Sequence, residues 1–336
     1  MNNETETILM EEAAVVLDNN SAAYVAQQFN FTSALWSMQF GKTVFLLKSL
    51  KKRKRVRLYI KSRSLHYFKK TWPTLDEDQF KKMFRFDRDD FYLIVGTVES
   101  LMVTAPPPGL KNIVNRELPP YQQVAMALNR LVTGHCSESV GSQFGVSDIT
   151  VRRCTVKFCK AVVKKLKPLF LKWPSVDERT VVKRQFQCIW GLPNCVGAID
   201  CTHVNMECPQ ADLATDYCDR KGRFSIQVQA IVDANMKFLD INCGWAGSVH
   251  DSRIFSMSKV YDDRKDYFNG PKVNVNGIHV PEYLVGDTGY PMSPHMLIPV
   301  PGREATLKPE QRHFNFKQSS TRIVVERASG RLKTVF

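Results

Sequence analysis

Three carboxylates fall where chain elements would present them. Asp200 closes a short apolar run, Asp287 closes another, and Glu326 lies on the last helical stretch, while Asp251 heads a helix between them. Ligand sites in open α/β sheets gather beyond the strand ends, which is where such aspartates would sit. Carboxylates brought to about 4–5 Å repel by roughly 4 kcal/mol per pair at an effective dielectric of 20, which a fold tolerates when a divalent cation neutralises it. Oxygen-only ligands suit Mg²⁺ or Mn²⁺. Such ions activate a water and stabilise the leaving oxygen of a phosphodiester. Each residue also has a structural explanation. Asp251 can cap its helix, Asp200 and Asp287 can be turn residues, and Glu326 can pair with Arg322 four positions earlier. Spacing alone leaves metal-dependent phosphodiester chemistry as one option beside these.

The charge balance bears on the partner. The chain has 336 residues, with 47 Lys+Arg against 33 Asp+Glu, a net +14 that points to a polyanion. The excess is local. Lys48 to Lys70 holds eleven cations and no acid, and Arg152 to Lys167 holds seven and no acid, so the remainder is slightly acidic. One such run is often only a solvated face. Two favour phosphate contacts through Arg152, Arg153, Lys157 and Lys160, with the compact Lys51, Lys52, Arg53, Lys54 and Arg55 as a nuclear-import candidate. No apolar run approaches a membrane span, and the acidic start is unlike a secretory signal. Nine scattered cysteines without a Cys-x-x-Cys pair fit reduced thiols inside a cell.

Elements must position these groups. Residues 1–47 read as a partly ordered extension. Two helices are predicted between Asp76 and Met102, with Asp76 and Asp87 at their starts, followed by a loop at Ala105–Gly109. Pro119-Pro120 starts a helix with Val124, Ala127, Leu128 and Leu131 on one face. A short helix Ser137–Phe144, a glycine turn and a Ser147-capped helix holding Ile149, Val156, Val163 and Leu166 complete a helix-turn-helix layout. Beyond Pro193 the texture changes to strands: Cys195–Ile199, an alternating run from Phe224 to Ala230, its hairpin partner Phe238–Asn242, and Tyr283–Gly286. A helix starts near Asp251, and Ser319-Ser320 opens a last one with Val324, Ala328 and Leu332 along one side. The order is that of a mixed α/β layer fold.

At these residues the sequence resembles the PIF/Harbinger group of DDE transposases, and within it the Harbinger transposase-derived nucleases. The matching stretches are Gly197-Ala198-Ile199-Asp200-Cys201-Thr202-His203-Val204, then Gly244 to Phe255 around His250-Asp251-Ser252-Arg253. Next come Gly286-Asp287-Thr288-Gly289-Tyr290-Pro291 and the run Ser319 to Lys333 around Glu326-Arg327. Cys201, Ala246 and Ser329 stand where relatives usually have Gly, Pro and Phe. Only ten residues follow Glu326, whereas relatives generally continue for several tens, so the expectation is a helix short of packing neighbours.

The resemblance implies an RNase H-like core with Asp200, Asp287 and Glu326 as metal-binding catalytic acids and Asp251 grouped with them. It also implies nuclear action, with the cytoplasm as a second compartment, and a separate Myb/SANT-like partner protein that brings the nuclease to DNA. The expected organisation is 1–47 extension, 48–115 basic segment and helices, 116–176 helix-turn-helix-like region, and 177–336 nuclease domain, its C-terminus truncated. The expected function is a divalent-metal-dependent endonuclease using two metals. The rival is a domesticated transposase that binds DNA or chromatin without turnover. A small-nucleotide phosphohydrolase is disfavoured by the two basic segments.

Overall fold

Local signals in the sequence set most helix starts. In the computed structural model, which describes residues 66–103, 118–209 and 211–335, Asp76 caps the helix Glu77–Phe84 in a capping box with Gln79. Asp87 caps Arg88–Met102 through Asp90 N. Pro120 opens the helix Pro120–Thr133 at a position that needs no amide donor. The helix Ser137–Phe144 follows, and Ser147 caps Asp148–Ala161. The extension, the Lys51–Arg55 run and the Ala105–Gly109 loop lie outside the described residues.

The helices between Tyr67 and Ala161 share one apolar cluster, with Phe80, Phe84, Phe91 and Phe144 buried at its centre. Two predicted faces differ. Val124, Ala127 and Leu128 are buried as expected, but Leu131 is exposed. On Asp148–Ala161 the buried side is Val151, Cys154, Thr155, Phe158 and Ala161, whereas Ile149, Val156 and Val163 face solvent. Both stripes keep helical spacing, so periodicity alone did not decide which one the neighbouring helix Pro120–Thr133 would cover.

From Cys195 on, a five-stranded sheet forms in the order Phe238–Ala246, Ser225–Val232, Cys195–Asn205, Tyr283–Val285, Met296–Leu297. Its long strands are β1 (Cys195–Asn205), β2 (Ser225–Val232) and β3 (Phe238–Ala246), joined antiparallel. A small hairpin, β4 (Val273–Val275) with β5 (Ile278–Val280), stands apart. Short β6 (Tyr283–Val285) and β7 (Met296–Leu297) run parallel to β1. The sheet is therefore mixed.

Helices Val176–Trp190 and Pro309–Val335 cover one face, packing Val182, Phe186, Val324, Val325 and Ala328 onto Ala198, Ala230 and Val232. The other face receives Phe255, Val260 and Tyr290 on Ile199, Ile231 and Leu284. The last helix starts at Pro309 rather than at Ser319-Ser320, because the polar turn before Phe314 carries little periodic signal. Leu332 is exposed rather than core.

The start of β6 is pinned electrostatically. Glu282 is fully buried and accepts from Arg179 Nε at 3.1 Å, Lys183 Nζ at 2.8 Å and Gly270 N at 3.0 Å. Burial pushes this carboxyl up, and the Lys183 and Arg179 hydrogen bonds more than offset it, so it is held below its ordinary range.

Candidate functional site

Strand register brings two of the acids together. β1 and β6 are parallel, with Ala198 opposite Val285. Asp200 lies two residues past the first and Asp287 two past the second, so both emerge side by side where β6 has ended and β1 continues. Asp200 is thus inside a strand that runs to Asn205, not at the strand end that its sequence suggests. The apolar run stops at Ile199 because the sheet leaves the core there, as the change from buried to half-buried residues shows.

Asp251 supplies the third carboxylate. His250 is the N-cap residue of the helix Asp251–Ser256, and Asp251 is its first helical position, so of the two roles open to Asp251 the cap is not the one it takes. Its carboxylate instead meets the other two: one oxygen each from Asp200, Asp251 and Asp287 lies within 4.8 Å of the others. All three are half-buried. Burial, with the Asp287 and Asp251 charges adding, raises Asp200 from the ordinary 3.8 to about 7, against an opposing pull from Arg322. Burial and the Asp287 charge raise Asp251 as well.

Glu326 is one helical turn beyond Arg322 and is largely exposed. Arg322 Nη1 contacts Glu326 Oε1 at 2.6 Å and Asp200 Oδ2 at 3.5 Å, so Glu326 joins the group through a shared guanidinium. The i,i+4 pair anticipated from spacing is present, and it reaches the site as well. The structure brings Asp200, Asp251 and Asp287 into direct proximity and leaves Glu326 at the edge.

The donor chemistry fits a divalent cation. The three groups are oxygen donors of one sign, crowded in partial burial, which suits Mg²⁺ or Mn²⁺. Space is kept open beside them. A Cβ on Gly289 would lie 3.0 Å from Asp287 Oδ1 and 3.5 Å from Asp251 Oδ2, so the absence of a side chain leaves the oxygens accessible.

Several site residues escaped the reading of the sequence. Cys201 Sγ lies 3.4 Å from Tyr290 Oη, and Gln229 Nε2 donates to both Tyr290 Oη and Cys201 Sγ. Burial raises the thiol and the phenol far above their ordinary ranges, so both stay protonated. On β2 the polar side is the better buried one. Ser225, Gln227 and Gln229 are almost fully enclosed, whereas Ile226 and Val228 are half-buried. The alternation predicts a strand, which forms, but does not say which of its two sides is enclosed. The glutamines on an otherwise apolar strand were the signal.

Of the cations expected to touch DNA, Arg152, Arg153 and Lys160 are exposed on Asp148–Ala161, and Arg152 lies 3.9 Å from Asp148. Lys157 has a different role. Its ammonium donates to Met102 O at 2.7 Å and Val103 O at 3.0 Å, capping the end of Arg88–Met102. Burial lowers it accordingly.

Comparison with known proteins follows the same residues. Residues 199–336 match the family model described as DDE superfamily endonuclease. The chain is 36% identical over 228 residues to Antagonist of Like Heterochromatin Protein 1 of Arabidopsis thaliana, covering 67% of this chain and 57% of that protein. It is 33% identical over 263 residues to an ALP1-like protein of the same plant, covering 77% and 63%. It is 25% identical over 253 residues to HARBI1 of Homo sapiens, a candidate nuclease by name, covering 75% and 66%. The chain therefore spans 57% to 66% of the length of these relatives. No solved structure matches it. Among the described residues no helix is long and apolar enough to cross a membrane.

Proposed function

Because this chain belongs to the DDE superfamily, in the group of Harbinger-type transposase-derived proteins, we propose that it is a divalent-metal-dependent endonuclease that hydrolyses DNA phosphodiester bonds. The observation that carries this reading is the meeting of Asp200, Asp251 and Asp287 within 4.8 Å, from three separate elements. These three would hold Mg²⁺ or Mn²⁺, with Glu326 completing the set once Arg322 releases it. Metal bound there supplies an activated water and neutralises charge on the phosphate and the leaving oxygen, as in a two-metal mechanism.

The chain's own residues prepare that chemistry. Parallel register fixes Asp200 beside Asp287, and Gln229 holds Tyr290 and Cys201 against the back of the site. Those two groups stay neutral, so the pocket's negative charge is confined to the carboxylates. Arg322, 3.5 Å from Asp200, partly offsets the Asp287 and Asp251 charges that act on it. The sheet order, with three antiparallel strands followed by two parallel ones, supports an RNase H-like core over 177–336.

DNA would be held by the helix-turn-helix-like region 116–176, through Arg152, Arg153 and Lys160. A Myb/SANT-like partner, and nuclear entry through Lys51–Arg55 with a cytoplasmic pool, belong to the same proposal. The test is plasmid nicking with Mn²⁺ or Mg²⁺ beside an Asp200→Ala control. Metal-dependent nicking lost in the control supports the reading, and no nicking with any divalent ion overturns it.

A second reading has one observation in its favour. Arg322 places a permanent cation between Asp200 and Glu326, where an inactive descendant would balance its acids without metal. A relative's name also refers to heterochromatin. DNA binding that is equal in wild type and Asp200→Asn, with no metal-induced stabilisation, would select this binding role.

A further inference from the structure

Beside Asp251 the surface opens into a cleft of about 230 Å³. Its walls include His203, Arg220, Lys221, Ser248 and Asp251. One wall is a tight loop organised by Asp219. That carboxylate accepts from Lys221 N at 2.8 Å and Arg223 N at 2.9 Å, and pairs with the Arg223 guanidinium at 3.0 Å. Its charge is thereby consumed within the loop, and the Cys218–Phe224 bridge closes the base.

The opposite wall is the Gly247–Val249 segment, fixed by buried Gln227, whose Nε2 donates to Gly247 O and Val249 O. This wall can approach only because residue 247 has no side chain. A Cβ there would lie 2.5 Å from Ser225 Oγ and from Tyr217 O.

The result is a rigid, positively charged recess against a negatively charged cluster. Arg220 and Lys221 are exposed and have no carboxylate within ion-pair distance among the described residues. Arg220 is hydrogen-bonded to His250 Nδ1 at 3.0 Å. Lys333, from the last helix, reaches His203 O at 2.6 Å and is lowered by burial and by nearby Arg223, so cations here crowd one another. Such crowding is relieved by an anion.

We propose that this cleft binds a backbone phosphate of DNA next to the phosphate presented to the acids, with Arg220 and Lys221 as its ligands. The inference rests on the nuclease reading and adds a positioning site to it. Asp251 belongs both to the acid cluster and to the lining of the cleft, so the neighbour of a phosphate held at the acids falls beside the cleft. The recess has room for a phosphodiester group with several waters. By aligning the strand on one side of Asp251, the cleft selects which bond faces the carboxylates.

The test is the double variant Arg220→Gln/Lys221→Gln, two exposed residues whose replacement leaves the core intact. Binding of a fluorescent DNA duplex is followed by anisotropy over a range of NaCl, with Mn²⁺-induced thermal shift as a readout of the metal site. The expected result is about tenfold weaker binding and a salt dependence shallower by about 0.9 per lost contact, with an Mn²⁺ shift still present. Wild-type affinity and slope in the variant would overturn the proposal while leaving the nuclease reading standing. If wild type neither binds nor nicks DNA, the nuclease reading itself fails. An inorganic-phosphate thermal shift seen in wild type and lost in the variant, without any change in DNA binding, would assign the cleft to free phosphate and overturn the DNA source.

Discussion

Replacing Asp200 with asparagine should stabilise the metal-free protein, and by an amount that depends on pH. The carboxyl is raised from 3.8 to about 7 by burial and by the Asp287 and Asp251 charges. The unfolded chain ionises it freely above 3.8 and the folded chain only above about 7, so its neutral form favours folding at low pH. That stability is fully present below 3.8 and is lost as pH rises through about 7. At pH 8 the ionised group therefore withholds up to about 4 kcal/mol of folding stability. Asparagine keeps the size, removes the charge and leaves Arg322 paired with Glu326. The variant's advantage should be a few kcal/mol at pH 8 and smaller by about 2–3 kcal/mol at pH 5. Metal reverses the ranking. Wild type should gain about 2.7 kcal/mol when Mn²⁺ is at 100 times its dissociation constant, and Asp200→Asn little. Urea denaturation at pH 5 and pH 8, with and without Mn²⁺, measures all four quantities. A variant less stable than wild type at pH 8 without metal, or one that gains equally from Mn²⁺, would refute the account of the site as crowded carboxylates awaiting a cation.

Other expectations follow from single contacts. Glu282→Ala should cost about 3–5 kcal/mol in urea denaturation, because it leaves buried Arg179 and Lys183 without their acid. Lys157→Met should cost about 1–3 kcal/mol through the lost bonds to Met102 O and Val103 O. It should leave the salt slope of DNA binding unchanged, whereas Arg152→Gln and Arg153→Gln should each flatten that slope by about 0.9. Gly289→Ala should reduce the Mn²⁺-induced thermal shift while leaving the metal-free melting temperature near that of wild type, since its Cβ would meet the Asp287 and Asp251 oxygens rather than the core.

Much of this arrangement was legible in the sequence because it rests on short-range rules. Asp76, Asp87, Ser147 and Pro120 announced their helices by the amide groups they satisfy or lack. The hairpin joining β2 to β3 forms as predicted, its turn closed by Asp233 accepting from Asn235 N and Lys237 N, as turn aspartates do. What was not legible depends on partners distant in sequence. The exposed side of Asp148–Ala161 could not be chosen before its packing on Pro120–Thr133 was known. Strand β1 runs past Asp200 because β2 continues beside it, pairing Asp200 with Ala230 and Asn205 with Ser225. Asp251 looked like a cap because its local sequence allows one. Only the approach of Asp200 and Asp287 gives its carboxylate another use. β7 is two residues long and carries no periodicity to read.

The parallel register between Ala198 and Val285 also limits how this chain can change in length over generations. Successive strand residues point to opposite faces, so one residue gained or lost between Ala198 and Asp200, or between Val285 and Asp287, would turn one carboxylate away from the other. Such a change would separate the pair even if every residue type were retained. The stretch after the helix Asp251–Ser256 and before β6, which holds two short helices and a detached hairpin, carries no such phase requirement. Insertions and deletions should therefore accumulate around the β4–β5 hairpin and be purged from the two short stretches leading to Asp200 and Asp287.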